Sequence, residues 1–125
     1  MSAIFGDLHE ATLQNNDYRR VIATTPTMQV VLMCLGPSQV IDWEVHHKGT
    51  QFIRVEHGAL RVDLRDPNAS QPVEHDHMVL IPEGRPHRIT ADAIEGAKLY
   101  VIYAPPEHAP DRVDRVQPDA EGENL

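Results

Sequence analysis

Apolar residues recur at every second position through much of the chain, the period of a strand with one face on a core. ALRVDLR turns Leu60, Val62 and Leu64 one way and Arg61, Asp63 and Arg65 the other. AKLYVIYA separates Ala97, Leu99, Val101 and Tyr103 from Lys98, Tyr100 and Ile102 in the same manner, and Pro105-Pro106 closes it. In QFIRVEH the set Gln51, Ile53 and Val55 opposes Phe52, Arg54 and Glu56, so an amide heads an otherwise apolar face. RVIAT, from Arg20, supplies a further apolar strand. MQVVLMCL is apolar on both faces, as strands buried on both sides are, and HMVLIP reads as a buried apolar strand ended by Pro82. A short helix also fits the first of these, but the Gly36-Pro37-Ser38 turn that follows favours a hairpin.

Glycine and proline punctuate these segments. Gly58 separates QFIRVEH from ALRVDLR, DPNASQP is expected to be a polar surface loop, and residues 91–96 form another. Before the strands, Leu8, Thr12 and Leu13 line a short helix that Asp7 caps and Asn15-Asn16-Asp17 ends. About eight short strands and one small helix predict an all-β, single-domain jelly roll or small closed barrel. Its expected organisation is an N-terminal helix or extended arm over 1–19, the barrel over 20–108 and a tail over 109–125.

The net charge of −8, with basic residues scattered along the chain, argues against nucleic-acid and anionic-membrane partners. Residues 107–125 carry two basic side chains against six acidic ones, and their low apolar content predicts a tail that is extended or disordered at its end. No apolar run reaches the roughly 18 residues of a membrane helix, and the N-terminus lacks a signal-peptide pattern, so the expected compartment is the cytoplasm. The single cysteine, Cys34, reads as a small buried apolar residue.

QVIDWEVH carries the candidate chemistry. It alternates Val40, Asp42, Glu44 and His46 against Ile41, Trp43 and Val45, so Glu44 and His46 leave one face together. Taken singly, Glu44 could be a solvated charge and His46 a hydrogen-bonded barrel residue. Gln51 follows just past the Lys48-Gly49 turn, and it enters the interior if Ile53 and Val55 do. His87 emerges from the Pro82/Gly84 turn and shares a face with Ile89. A carboxylate, two imidazoles and an amide oxygen suit a divalent metal such as Fe, Mn, Ni, Co or Zn. Glu44, His46 and His87 alone make a two-His, one-carboxylate set with room for substrate. Trp43, Ile53, Tyr100 and Tyr103 are expected to line a pocket for a small-molecule ligand. His47, His57, His75 and His77 are expected on the surface, Arg54 and Arg88 in outer-face ion pairs, and Glu107-His108 in docking the tail.

These motifs resemble those of the cupins. That family's first motif runs Gly, five residues, His-x-His, then Glu and a closing Gly; its second runs Gly, five residues, Pro-x-Gly-x-x-His. Glu44 and His46 stand at the two His positions, Gln51 at the Glu and Gly58 at the closing Gly. Pro82, Gly84 and His87 reproduce the second motif, with Asp76 where its leading Gly would be. EVH, QFIRVE and KLYVIYAPPEH are similar to a group of small single-domain cupins labelled mannose-6-phosphate isomerase-like, a label of analogy and not of activity. The resemblance implies a metal-binding protein, and a metal-dependent enzyme with dioxygenase or isomerase-like chemistry in which Glu44 is ligand and proton acceptor. The alternative is a non-catalytic cupin that binds a sugar or other small molecule with a structural metal or none. A metal-free epimerase of this barrel class would instead need His46 or His87 paired with Tyr100 or Tyr103. Cupins commonly form homodimers through edge strands, a role open here to residues 28–35 and the terminal strand.

Overall fold

The computed structural model, which describes residues 1–119 and the backbone of residues 123 and 124, curls ten strands into one continuous sheet around a single core. A short helix α1 (Leu8–Gln14) precedes β1 (Arg19–Thr24), β2 (Gln29–Leu35), β3 (Val40–Val45), β4 (Thr50–Leu64) and β5 (Ala69–Glu74). Then follow β6 (Met78–Ile81), β7 (His87–Ala91), β8 (Ala97–Ala104), β9 (Val113–Asp114) and β10 (Glu123–Asn124). The strand order is β10-β3-β7-β4-β8-β2-β1-β9, with β5 and β6 also paired to β4. The expected all-β barrel of the jelly-roll type is the observed architecture.

β4 joins the two halves. Its first half pairs with β6 and β8, its second with β5 and β7. Gly58 therefore does not end a strand; it lies inside one, with φ +76° beside a register shift between Val55 and His57. The extra residue of this bulge flips the alternation, so Gln51, Ile53 and Val55 point inward before it and Leu60 and Val62 after it. The end of DPNASQP is strand, not loop: β5 begins at Ala69, and Pro72 is tolerated because its strand pairs on one side only among the described residues. HMVLIP, expected to be a buried strand, is half-buried: on β6 Ile81 is buried in the core and Val79 packs against it, while Met78 and Leu80 on the other face are exposed. β2 and β8, the strands expected to offer a dimer edge, are each flanked on both sides and present none.

Asp7 caps α1 by accepting from the Glu10 amide at 3.0 Å, and Lys98 Nζ donates to the Leu13 carbonyl at 2.6 Å, pinning the last turn to β8. Inside the barrel, Val31, Val101 and Ile53 form one cross-strand row and Met33, Leu99 and Val55 the next, all essentially solvent-free. The row beyond Val31–Val101–Ile53 changes character. It holds Gln29, Tyr103 and Gln51, buried polar side chains at one end of the apolar core.

The acidic C-terminal stretch lies against the barrel as far as Asp119. β9 pairs with β1, Tyr18 N–H donates to the Arg115 carbonyl at 3.2 Å, and Asp114 meets both Arg19 and Arg112. Low hydrophobicity predicted an extended tail, but ion pairs and backbone bonds hold it where apolar packing would not. The end of the predicted tail, residues 120–122 and 125, lies outside the described residues. Cys34 is half-buried on β2. No helix among the described residues is long and apolar enough to cross a membrane.

Candidate metal centre

Glu44 on β3 and His87 on β7 are direct cross-strand partners. The register of this pair shifts between Ile41 and Glu44, so a bulge at Asp42-Trp43 lets Ile41 and Glu44 both face inward. Strict alternation had placed Ile41 on the opposite face. Trp43, next to inward-facing Glu44, points outward, where the Arg65 and Arg88 guanidinium groups lie 3.8 Å and 5.1 Å from its ring centroid. The His46 carbonyl accepts from the Gly84 amide at 2.8 Å, which clips the Pro82–Pro86 turn to the end of β3. Gly84 adopts φ +77°, a conformation that glycine takes without strain.

Nε2 of His46 and Nε2 of His87 each lie 3.5 Å from Glu44 Oε1, in charge contact but without hydrogen-bond alignment. One donor atom from each of the three residues falls within 4.8 Å of the others. His87 Nδ1 is 3.0 Å from the Arg85 carbonyl, so that nitrogen carries the proton and Nε2 the lone pair. His46 Nδ1 is 3.3 Å from Glu107 Oε1. In both rings the outer nitrogen is engaged and Nε2 faces the carboxylate, the division found in metal-binding histidines. Gln51 Oε1 is also buried without a hydrogen-bond partner, in a cavity that Glu44 shares. Burying an unpartnered polar atom is costly, and three of them beside one carboxylate fit a cation that would accept their electron pairs.

The neighbouring charges set the protonation of these groups, keeping Glu44 ionised for a cation while making His46 hold a proton that a cation would have to displace. Burial alone would raise the Glu44 carboxyl, but the His46 and His87 imidazoles outweigh it and hold the pKa at about 2. Burial alone would lower His46, but Glu107 and Glu44 raise it to about 9. Contact with His46 lowers Glu107 despite partial burial. Tyr103 is pushed upward, first by burial and then by the nearby Glu44 carboxylate, so its hydroxyl stays a donor. In the metal-free protein, Glu107→Gln is therefore expected to lower the His46 pKa by about one unit, read from ring-proton NMR titration. A folded pKa raised from 6.5 to about 9 contributes stability that is complete below 6.5 and lost as pH rises through 9. Denaturant unfolding of Glu107→Gln should show a shallower decline over that interval; an unchanged decline would place the coupling elsewhere.

Among the expected pocket residues, Ile53 and Tyr103 line the cavity of about 200 Å³ that holds Glu44 and Gln51. Trp43 and Tyr100 do not; Tyr100 lies on the outer face, 6.4 Å ring to ring from Phe52. His47, His57, His75 and His77 are all exposed, while Arg54 pairs with Glu56 and Asp76 and Arg88 with Asp63. Two contributors were not recognised from the sequence. Gln29, fully buried, accepts from the amides of Glu107 and His108 at 3.2 and 3.0 Å and donates to the His108 carbonyl at 2.7 Å. That grip docks the PPEH run and delivers Glu107 to His46. Its sequence signal was the one seen at Gln51, an amide heading the apolar series Val31, Met33, Leu35. The second is Arg19, buried beside Asp114, which lines both the main cavity and an adjoining one of about 140 Å³.

The sequence profile of the Cupin domain family matches residues 31–103, which include Glu44, His46, Gln51 and His87. The chain is a cupin. An uncharacterised protein of Acanthamoeba polyphaga mimivirus is 36% identical to this cupin over 118 residues, covering 93% of it and 74% of the viral protein. YrkC of Bacillus subtilis is 34% identical over 118 residues, covering 91% of this cupin, which spans 63% of the length of YrkC. A crystal structure from Bacillus halodurans superposes with a TM-score of 0.87 at 30% identity, over 91% of this cupin and 89% of that chain.

Proposed function

We propose that this cupin binds a divalent metal through Glu44, His46 and His87, with Gln51 as a fourth donor, and acts as a metal-dependent enzyme on a small molecule in the barrel. The observation that supports this most directly is the set of three buried atoms without hydrogen-bond partners, His46 Nε2, His87 Nε2 and Gln51 Oε1, gathered with the ionised Glu44. A cavity of about 200 Å³ lies below the usual range for drug-sized ligands and suits a compact substrate. When bound, the ion would polarise a substrate oxygen as a Lewis acid or serve as a redox centre.

The chain's own groups divide the remaining work. A carboxyl held at about 2 is a weak base, which casts Glu44 as ligand and not as proton acceptor. Tyr103 lines both cavities with a hydroxyl that keeps its proton, a hydrogen-bond donor for a substrate oxygen. Dioxygenase and isomerase-like chemistry use the same site.

Elemental analysis of protein purified without chelators is expected to find about one equivalent of Fe, Mn, Ni, Co or Zn. Because His46 must shed a proton to bind an ion, the apparent affinity should climb about tenfold per pH unit until pH approaches 9. Protein that is metal-free and refuses added metal at every pH would overturn the proposal. Oxygen uptake by the Fe(II)-loaded protein over a panel of diols and catechols then separates redox from non-redox chemistry.

A further inference from the structure

The walls of the metal cavity are not held alike. β2, β3, β4, β7 and β8 enclose it with continuous ladders and core side chains. The remaining wall is Tyr18 and Arg19 at the start of β1 together with Gln117, Pro118 and Asp119, the last three from a segment that lies outside the portion matched to the Cupin family. This strap crosses the mouth between β1 and β3. It is anchored at one end by β9 on β1 and by Asp114 between Arg19 and Arg112, and further along by β10 on β3 opposite Val45 and Glu44. Between the anchors, Gln117 Oε1 accepts from Gln39 Nε2 and Gln117 Nε2 donates to the Val40 carbonyl, both at 3.0 Å. Gln117 and Asp119 are themselves exposed and only Pro118 between them is half-buried, so little apolar packing holds this stretch down.

Behind the strap the candidate ligands are mostly buried. The side chains of Glu44, His46 and His87 are 15%, 11% and 1% exposed, and Ile53, Leu99 and Val101 have no exposure although they back the cavity. The strap covers one approach to Glu44; the adjoining cavity beside His46, Tyr103 and Glu107 is narrower, about 140 Å³. Peripheral segments with exposed hydrogen bonds and few apolar contacts open at far lower free energy than ladders buried in a core.

We propose that residues Val113–Asp119 are the selectivity wall of the metal cavity, setting by their seating and lifting the size of what reaches Glu44, His46 and His87. The proposal rests on the metal-site reading above, and its test keeps the two apart. Full-length protein is loaded with Co(II), whose visible spectrum reports the coordination environment. It is then challenged with azide, a small probe, and with 8-hydroxyquinoline-5-sulfonate, a bulky chelator. Two variants are compared with it: full-length Gln117→Ala, which removes both strap hydrogen bonds, and a chain ending at Arg115, which keeps β9 and the Asp114 pairs.

Removal of Co(II) by the bulky chelator should accelerate ~tenfold in Gln117→Ala and more in the shortened chain, while the azide spectral change keeps its rate within about a factor of two. Equal chelation rates in all three proteins would overturn the strap's role and leave the metal site standing. Equal acceleration for both probes would also overturn it, since a site that merely loosens does not discriminate by size. If the shortened chain does not fold, Gln117→Ala decides alone. Failure of the full-length protein to take up Co(II) would overturn the metal site itself, and the strap proposal with it.

Discussion

His87→Ala is expected to abolish stoichiometric metal binding, lowering affinity by at least ~100-fold, and to destabilise the metal-free protein by about 2–3 kcal/mol. His87 is the most buried of the candidate ligands, 1% exposed, and stands directly across from Glu44. Removing its ring takes away an oriented donor, because Nδ1 is already committed to the Arg85 carbonyl and only Nε2 faces the site. It also leaves a cavity in the interior and an ionised Glu44 with one imidazole beside it in place of two. Breaking one side of a buried charge cluster costs more than the lost contact, since the remaining charge stays desolvated. Metal content by elemental analysis and a urea unfolding curve measure the two effects separately. The exposed His75→Ala is the matched control and should change neither. If His87→Ala retained a full equivalent of metal, coordination by this residue would be refuted.

Gly58→Ala is expected to cost about 3 kcal/mol or more, among the largest effects of any single methyl group in this chain. Gly58 has φ +76°, and a Cβ built there would sit 2.1 Å from the Gly96 carbonyl oxygen and 2.9 Å from its carbon. Both are backbone atoms, which cannot swing aside as a flexible side chain would. Gly96 is constrained in turn, since its own Cβ would meet the Leu35 carbonyl oxygen at 2.2 Å. Three chain segments therefore cross at contact distance where β4 passes from one half of the sheet to the other. Gly84 separates conformation from crowding: its φ is +77° but no atom lies within 4 Å of its Cβ position. Gly84→Ala should cost only the left-handed penalty, about 1 kcal/mol. Urea midpoints for the two variants provide the comparison, and equal shifts would show that backbone conformation, not the crossing, makes Gly58 necessary.

The elements that the alternation of apolar residues identified are those whose period runs unbroken. β8 keeps Ala97, Leu99, Val101 and Tyr103 inward as the pattern requires, and the helix begins at its Asp7 cap. Where a bulge interrupts the period, the same logic misplaces side chains. Ile41 turned out to face the interior along with Glu44 because one additional residue lies between Ile41 and Glu44 relative to β7. A bulge exists only with respect to a partner strand, so one strand's residues do not reveal it. Gly58 carried the same ambiguity, as a glycine between apolar runs is written identically whether it ends a strand or kinks one. Composition misled at Ala69–Glu74, whose polar residues look like loop until β4 pairs with them.

The candidate site divides along the same line. Glu44, His46, Gln51 and His87 were legible because spacing two apart, an amide heading an apolar face and a Pro-Gly turn before histidine are local facts. Their resemblance to cupin motifs rests on those same local spacings. Glu107 was not legible as the partner of His46: sixty positions intervene, and the contact depends on Gln29 gripping the PPEH backbone. Nor was the strap, whose acidic composition resembles a free tail until Asp114 finds Arg19 and Arg112.

By itself, the order of residues determined which side chains leave the interior face of each regular strand, because backbone geometry alone makes that alternation. Only the tertiary structure decided which of those side chains meet. Ladder register, the two bulges and the docking of the C-terminal segment bring Glu44, His46, His87 and Glu107 together from different strands, and each depends on pairing between residues far apart in the chain. Their protonation belongs to the tertiary level as well. A carboxyl at about 2 and an imidazole at about 9 exist because the folded barrel sets opposite charges side by side, closely enough to outweigh the burial that opposes both shifts.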